Sequence, residues 1–397
     1  MPVRKITLQE AAEVRKLQAH AFHFSFQERE LEKQLEEDGA MLDNARVFAD
    51  DSGAVTACLE LIPFSIWLDG KSVPMGGIGG VASRPENRRQ GNVRQLLLHC
   101  FEEMKARGDV FSFLYPFSHP YYRQFGYELC CSRLAVTAPL EPLLSLPFAG
   151  TIEEFLPDND PGPIVDIYNG WAENYNLSID REGWRWKSIL EKDPAVTDHR
   201  TYIWKNKAKE PRAYFQYTAR TLPQFRFNMR ITEMAWLDDE ALANMLAYWG
   251  KFFGNTYNAE FTAPMDFGPS RFWAEPYQLE QKTECSGMCR VIHAQKALDA
   301  MKKPLSSGKT YLRVEDETCP WNQKNFCIEW ENGQGEVRVS QKQSTDIICS
   351  AAALSQLVTG FVPLAKQLQS SGLQIETLKP MPLDLFPRKE TFIADFF

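Results

Sequence analysis

The sequence predicts an α/β protein with mixed α+β sheets, built from three successive domains. Three observations carry this. A glycine-broken strand, an amphipathic helix and a second apolar strand follow one another between residues 71 and 117. A second region mixing strands and helices comes after a proline-rich passage, and a third segment from about Cys289 has its own helices and strands. At 397 residues the chain is too long for one ordinary core, since domains typically hold roughly 100–200 residues.

The elements can be justified in order. Residues 3–8 (VRKITL) read as a strand, followed by helices over about 8–21 and 28–37. The runs "ARVFAD", "AVTACLELIPFSIWL" and "KSVPMGGIGGVASRP" are rich in β-branched and aromatic residues and bounded by turn residues, which makes a meander. Gly91 then opens a helix whose apolar positions Val93, Leu96, Leu97, Cys100, Phe101 and Met104 share one face. The apolar run "VFSFLYPF" (110–117) completes a strand–helix–strand unit, which implies parallel, right-handed pairing. "TAPLEPLLSLPF" (137–148) looks like a linker. Beyond it, helices are expected near 164–174 and 239–253, with strands at "TYIWK", "RAYFQYT", "RITEMAWL" and "TYNAEFTA". The last segment offers the helix "VIHAQKALDAMKK", the strands "KTYLRVED", "NFCIEWENG" and "GEVRVSQ", and the helix "SAAALSQLVTGF". The divisions implied are 1–148, 149–288 and 289–397.

Composition narrows the function classes. Hydrophobic residues make up 44% and aromatics 12%, enough for the whole chain to fold. A formal net charge of −8 argues against nucleic acid as a general partner and leaves room for a cationic ligand in an acidic cleft. No apolar stretch has the length of a signal peptide or of a membrane span, so a cytoplasmic protein without membrane association is expected. Nine cysteines occur without a CxxC pair, and neither Cys130–Cys131 nor Cys285 and Cys289 has histidines beside it; His20 and His23 lack a completing ligand set. Buried free thiols and no metal are expected.

The informative stretch is "GGIGGVASRPENRRQGNVRQLL" (76–97). Glycines inside a strand supply no packing, so a β-bulge or a close approach to the backbone is the natural reason for them. Arg88 and Arg89 stand just before a helix N-terminus, where the macrodipole disfavours cations. An anion would reconcile them. The N–H groups of Gly91, Asn92 and Val93 at that helix start suit a diphosphate.

At these residues the sequence resembles the GCN5-related N-acetyltransferases. Arg88-x-x-Gly91 is similar to their pyrophosphate loop, with Val93 where Gly or Ala is usual, and Val81, Ala82 and Ser83 resemble the strand end that pairs with pantetheine. "HPYYRQFGYE" (119–128) resembles the Tyr-x-x-Phe-Gly-Tyr segment of the enhanced intracellular survival subgroup. That resemblance covers the full length. It implies an acetyl-CoA-binding N-terminal domain, a second domain of the same fold that has lost cofactor binding, and a C-terminal domain similar to sterol carrier proteins. It also implies a homo-oligomer, plausibly a hexamer, that acetylates a small-molecule or peptide amine.

The same resemblance assigns roles. Tyr122 is the general acid, with Tyr121 and Tyr127 as the neighbours open to confusion with it. The chain ends in "FIADFF", and the terminal carboxylate of Phe397 is the general base. Burial would raise its pKa above the ~3.5 of a free α-carboxyl; packing for stability alone is the other reading. Phe22, Phe24, Phe26 and Trp67 are candidate walls of the acceptor pocket, against a plain core role for each. Two rival functions stand beside this one: an acyltransferase of N-myristoyltransferase type, and a non-catalytic acyl-CoA or lipid binder.

Overall fold

The computed structural model of the chain describes residues 2–37, 39–367, 373–374 and 382–397. Its first part runs β1 (Val3–Lys5), α1 (Ala11–Phe22), α2 (Glu28–Glu37), α3 (Ala40–Asn44), β2 (Ala45–Ala49), β3 (Val55–Leu68), β4 (Lys71–Ser83), α4 (Asn92–Arg107), β5 (Phe111–Leu114), α5 (His119–Arg123) and β6 (Glu128–Pro139). The expected unit is present, with β4 and β5 parallel on either side of α4. The face of α4 read from its spacing is the buried one: Leu96, Leu97, Cys100, Phe101 and Met104 are all closed to solvent. The first strand is shorter than expected because Thr7 and Glu10 form a capping box that starts a helical turn.

The second part comprises β7 (Thr151–Phe155), α6 (Gly162–Ala172), β8 (Ile179–Asp180), α7 (Gly183–Leu190), α8 (Pro194–Thr197), β9 (Arg200–Lys205), β10 (Pro211–Leu222), β11 (Arg226–Trp236), α9 (Asp239–Gly250), β12 (Thr256–Ala263) and β13 (Glu280–Val291). It is not a separate sheet. Among the described residues, strands of both parts form a single path in the order β1-β2-β3-β4-β5-β13-β6-β12-β11-β10-β9-β7, with β8 pairing to β3. Strand β13 lies between β5 and β6 of the first part, while β6 pairs on its other edge with β12.

The proline-rich passage is therefore not a linker. Thr137–Pro139 end β6, and Leu140 and Leu143 are fully buried in the core that holds Met245 and Trp249 of α9. Gly250 permits this closeness, since a Cβ there would lie 2.8 Å from the carbonyl carbon of Leu143. The prolines interrupt the hydrogen-bonding pattern without interrupting the packing.

The third part holds α10 (Ala294–Ala300), β14 (Gly308–Glu315), β15 (Asn325–Glu331), β16 (Gln334–Ser340), β17 (Ile347–Ser350), α11 (Ala351–Thr359), α12 (Leu364–Gln367) and β18 (Leu373–Gln374). Its sheet order is β16-β15-β14-β17-β18. Leu312, Phe326 and Leu354 of this layer share one continuous core with Met75, Phe111, Cys130 and Cys131 of the first. Eight of the nine cysteines are buried and all are free, Cys285 being the exposed one. Among the described residues no helix is long and apolar enough to cross a membrane.

A buried ion pair ties the third part to β13 of the second, and through Arg290 to the first. Arg290 on β13 and Asp316 after β14 are both sealed from solvent and meet at 2.6 Å. Arg290 also donates to the Phe125 carbonyl, just beyond α5, and to Thr318 Oγ1 at 2.7 Å, and it lies over the Phe101 ring. Asp316 accepts further bonds from Thr318 Oγ1, the Cys319 N–H and Asn322. Removing one partner strands a buried charge, which destabilises by about 3–5 kcal/mol. Asp316→Ala is therefore expected to lose that much in urea denaturation; a change under 1 kcal/mol would refute this account of the clamp.

Candidate active site

The turn between β4 and α4 builds the first half of the site. Arg89 (φ 63°) and Gly91 (φ 84°) are both left-handed, and Gly91 caps α4 with no side chain to occupy the first N–H groups. Among the described residues Arg88 and Arg89 form no ion pair, and both are exposed. A cleft of about 680 Å³ opens here, lined by Val81, Ala82, Ser83, Arg88, Arg89, Gly91, Asn92 and Val93 from the turn and by Phe22, Phe117, Tyr121 and Phe125 from the facing side. The Asn92 side chain turns inward to Thr56 at 2.9 Å, which leaves its main chain for the cleft. A Cβ on Gly91 would meet nothing within 4 Å and would project into open space. Uncapped helix donors, two free guanidinium groups and room for a chain beside β4 suit a diphosphate carried on an extended arm.

Strand β4 builds the second half. Its pairing with β5 ends at Ile78 opposite Leu114, while β4 continues to Ser83. Residues 79–83 thus have no β5 partner on that side. Gly80 (φ 56°) sits where the register with β3 slips, so the expected bulge is present. What approaches the glycines is the end of the chain itself. A Cβ on Gly77 would lie 2.6 Å from the Phe397 ring, and one on Gly79 would be 3.5 Å from the terminal carboxyl carbon. The Phe397 ring packs against Phe64 (4.6 Å between centroids), Tyr115 (5.5 Å) and Phe113 (6.1 Å). Among the described residues nothing bonds to the terminal carboxylate.

Tyr122 lies in α5 and is 2% exposed. Its ring is enclosed by Phe117, Tyr121 and Tyr127, and burial pushes its hydroxyl well above the usual tyrosine range. Among the described residues that hydroxyl has no hydrogen-bond partner. Tyr127 differs: it is fully buried and shares a 2.6 Å hydrogen bond with Ser112 Oγ. Tyr121 is half-buried and lines the cleft.

The structure brings together the turn residues, Val81 to Ser83 and Phe22, and sets Phe397 against β4. It does not gather the four aromatics proposed as acceptor walls. Phe24 lies under Arg15 beyond α1, and Phe26 is half-buried in the same connection. Trp67 packs in the core of the second part with Phe155, Trp171 and Phe392. The aromatics around Phe397 are Phe64, Phe113 and Tyr115, with Trp184 5.9 Å from Phe64 and Phe396 4.6 Å from Tyr115. Of these the sequence reading singled out only Phe396, beside Phe397 at the terminus; for Trp184 the interleaved "REGWRW" (181–186) was the available signal.

The corresponding junction of the second part, between β11 and α9, has the opposite charge. Asp238 caps α9 through the Ala241 N–H at 2.8 Å, and Asp239 and Glu240 fill its first turn. One helix donor, the Ala241 N–H, is taken by Asp238, and the three acids at this helix start would repel a phosphate.

Comparison with known proteins agrees with this architecture. Residues 2–130 and residues 177–291 each match an acetyltransferase (GNAT) domain family, and residues 294–381 match a sterol carrier protein domain family. The chain therefore carries two acetyltransferase-type domains and a C-terminal domain of sterol carrier type, in mixed α/β sheets. Similar solved structures include a GCN5-related N-acetyltransferase from Anabaena variabilis (22% identity, 100% of this chain and 99% of that one, TM-score 0.88). A probable N-acyltransferase from Enterococcus faecalis is comparable (22% identity, 100% and 99%, TM-score 0.87). Eis1 from Mycobacterium abscessus follows (16% identity, 100% and 99%, TM-score 0.81). These likenesses establish the fold. No curated protein sequence matches the chain.

Because Gly77 makes the space for the last residue, Gly77→Val is expected to expel the Phe397 ring and leave the remaining sheet intact. Carboxypeptidase should then release Phe397 at least tenfold faster than from the wild type under native conditions. Equal release rates would mean that the ring is not held there.

Proposed function

We propose that the protein is an acetyl-CoA-dependent N-acetyltransferase acting on a primary amine of a small molecule or peptide, with Tyr122 as general acid and the Phe397 carboxylate as general base. One observation carries this reading: an unpartnered terminal carboxylate lies against β4 where its pairing with β5 stops, on the strand that leads into the anion-binding turn. Packing for stability alone explains the Phe397 ring but not why the carboxylate is set beside Gly79, on the strand that leads into the turn. A pure acyl-CoA binder would need neither group.

The residues fit the cosubstrate. Arg88, Arg89 and the first N–H groups of α4 would hold the diphosphate, and the main chain of Val81 to Ser83, unpaired toward β5, would hydrogen-bond the amide-containing arm. Bound acetyl-CoA would supply the acetyl group and a thiolate leaving group. The Phe397 carboxylate takes a proton from the acceptor amine so that nitrogen can attack the acetyl carbonyl, and the Tyr122 hydroxyl gives a proton to sulfur as the carbon–sulfur bond breaks. Burial suits Tyr122 to this task, since it stays protonated at neutral pH.

The experiment is thiol release from acetyl-CoA against spermidine, kanamycin and a lysyl peptide, with myristoyl-CoA as competitor. Turnover of at least one amine, unaffected by myristoyl-CoA at equal concentration, is expected; preferential use of myristoyl-CoA would favour the long-chain reading instead. Three variants refine it. Gly91→Val, which places a branched side chain in the cleft at a left-handed position, should abolish CoA binding by calorimetry, and unchanged affinity would remove the turn from the site. Tyr122→Phe should lower turnover at least tenfold with CoA affinity intact. In the wild type, turnover should not fall as pH rises to 10, because the raised Tyr122 pKa keeps the donor protonated where an ordinary tyrosine would be half ionised. Residues added after Phe397 displace the carboxylate while keeping both rings, and should reduce activity at least tenfold, about 1.4 kcal/mol of barrier; full activity with the tail intact by mass spectrometry would dismiss the terminus as base.

A further inference from the structure

The tail that carries Phe397 crosses the second acetyltransferase-type domain before it reaches β4. Thr391 bridges to Asn176, the Phe392 N–H bonds to the Asn176 carbonyl at 3.0 Å, and Ser178 Oγ donates to the Phe392 carbonyl at 2.9 Å. Phe392 is then buried against Trp171 and Tyr175. Two residues before the terminus, Asp395 enters a closed socket. Its carboxylate, fully buried, is held by Arg181 at 3.0 Å and by Arg185 at 2.7 Å, with Tyr168 Oη at 3.4 Å.

The socket is itself braced. Arg181 makes a second, two-pronged ion pair with Glu233 of β11 at 2.7 and 3.1 Å, and its guanidinium lies 3.9 Å over the Tyr168 ring. Tyr214 of β10 donates to the same Glu233 at 2.8 Å. The final peptide units are also gripped from both sides: Arg185 donates to the Phe396 carbonyl at 3.2 Å, and Tyr115 of the first part donates to the Asp395 carbonyl.

We infer that the second acetyltransferase-type domain serves as a socket that positions the terminal carboxylate, with Asp395, Arg181 and Arg185 as positioning residues for the Phe397 base. This rests on the proposed reading of Phe397 and goes beyond it by giving the second domain a task in the reaction. The reasoning is geometric. The terminal carboxylate has no partner of its own among the described residues, so its place is set by the Phe397 ring and by the fixed point two residues back. Two residues span at most about 7 Å, so clamping Asp395 confines the carboxylate to a small volume. A buried ion network adds little stability over an apolar plug of equal size but defines one orientation, because a guanidinium fork accepts a carboxylate in few poses. Apolar residues in place of the whole Arg181–Arg185–Asp395 cluster would have served stability equally well. The junction acids Asp238, Asp239 and Glu240 make the β11–α9 turn a poor seat for an anion.

The test uses the full-length chain, acetyl-CoA and whichever of spermidine, kanamycin and the lysyl peptide the wild type acetylates fastest, with rates normalised to CoA-binding sites counted by calorimetry. Arg185 is the first target because it is partly exposed and its loss leaves the Arg181–Glu233 pair in place. Arg185→Ala should lower kcat at least tenfold with the KM for acetyl-CoA within twofold and little change in Tm, and Arg185→Lys, which restores one of the two bonds, should recover part of the loss. Asp395→Asn should lower kcat further. If both variants keep full kcat while the tail-extended protein has lost it, the socket inference is wrong and the base assignment stands. If the tail-extended protein is fully active, or no amine turns over, both fall together.

Discussion

The missing β-carbon of Gly77 is the constraint on which the rest of the site depends. A Cβ there would lie 2.6 Å from the Phe397 ring and take its volume, whereas one on Gly79 would stand in ordinary contact, 3.5 Å from the terminal carboxyl carbon. Glycine in a strand interior weakens it, yet here β4 is held between β3 and β5 and tolerates the loss. The strand therefore does two things at once. Its first half is an ordinary central strand, and its second half, past the point where β5 leaves it, is an open ledge with the cleft of the β4–α4 turn beyond and the chain terminus beside it. Placing a terminus there requires the chain to return over most of its length. That return explains why the third part packs into the same core as the first rather than hanging from it.

Two buried ion networks hold the two proposed reactive groups, and they come from different parts of the chain. Arg290 and Asp316 fix the turn after α5, which carries Tyr122; Arg181, Arg185 and Glu233 fix the tail that carries Phe397. Burial would push the Asp395 carboxyl up, but Arg181 and Arg185 hold it below the ordinary carboxylate value. Its stabilising contribution is thus present above the unfolded carboxylate pKa and is lost only as pH falls through the depressed folded value. The tail should stay seated at mildly acidic pH. Networks of this kind are weak sources of net stability and strong sources of orientation, which is what a proton donor and a proton acceptor on separate segments require.

Much of this was legible in the sequence, for identifiable reasons. The β4–α4–β5 unit was readable because its signals are local: a 3.6-residue apolar period in α4, and glycine and arginine at fixed places in one turn. The terminus drew attention because two phenylalanines stand beside a final carboxylate, but only Phe397 is seated against β4; Phe396 lies beside Tyr115 and is 70% exposed. What was not legible depends on non-local pairing. Strands β6 and β13 were missed, since "EQKTECSG" (280–287) is polar and gains its strand character from inserting between β5 and β6. The prolines of 137–148 hid Leu140 and Leu143, whose burial is decided by α9 more than a hundred residues away in sequence rank. Trp67 was misplaced for the same reason: strand alternation shows which face a residue takes, not which neighbour covers it. The socket for Asp395 joins residues about 210 positions apart, and no local pattern reports such a distance.

Strand exchange gives these distances a mechanical consequence. With β13 inserted between β5 and β6, the end of the second part is a central strand of the first, and neither part can move as a rigid unit against the other without breaking main-chain ladders. A donor on α5 and an acceptor carried by a tail could drift apart if they were mounted on hinged domains, because inter-domain contacts within a chain are usually small and mobile. Here the same sheet carries β4, β5 and β13, and β8 of the second part pairs with β3 through Ser65–Asp180 and Ile66–Ile179. Arg181 follows immediately after β8, so the guanidinium that holds the tail is anchored to a strand hydrogen-bonded to β3, which in turn pairs with the glycine strand where the carboxylate rests. The path from socket to ledge is thus two ladders long and made of backbone hydrogen bonds. That rigidity holds a chain end, ordinarily the least ordered part of a protein, at a fixed place beside β4.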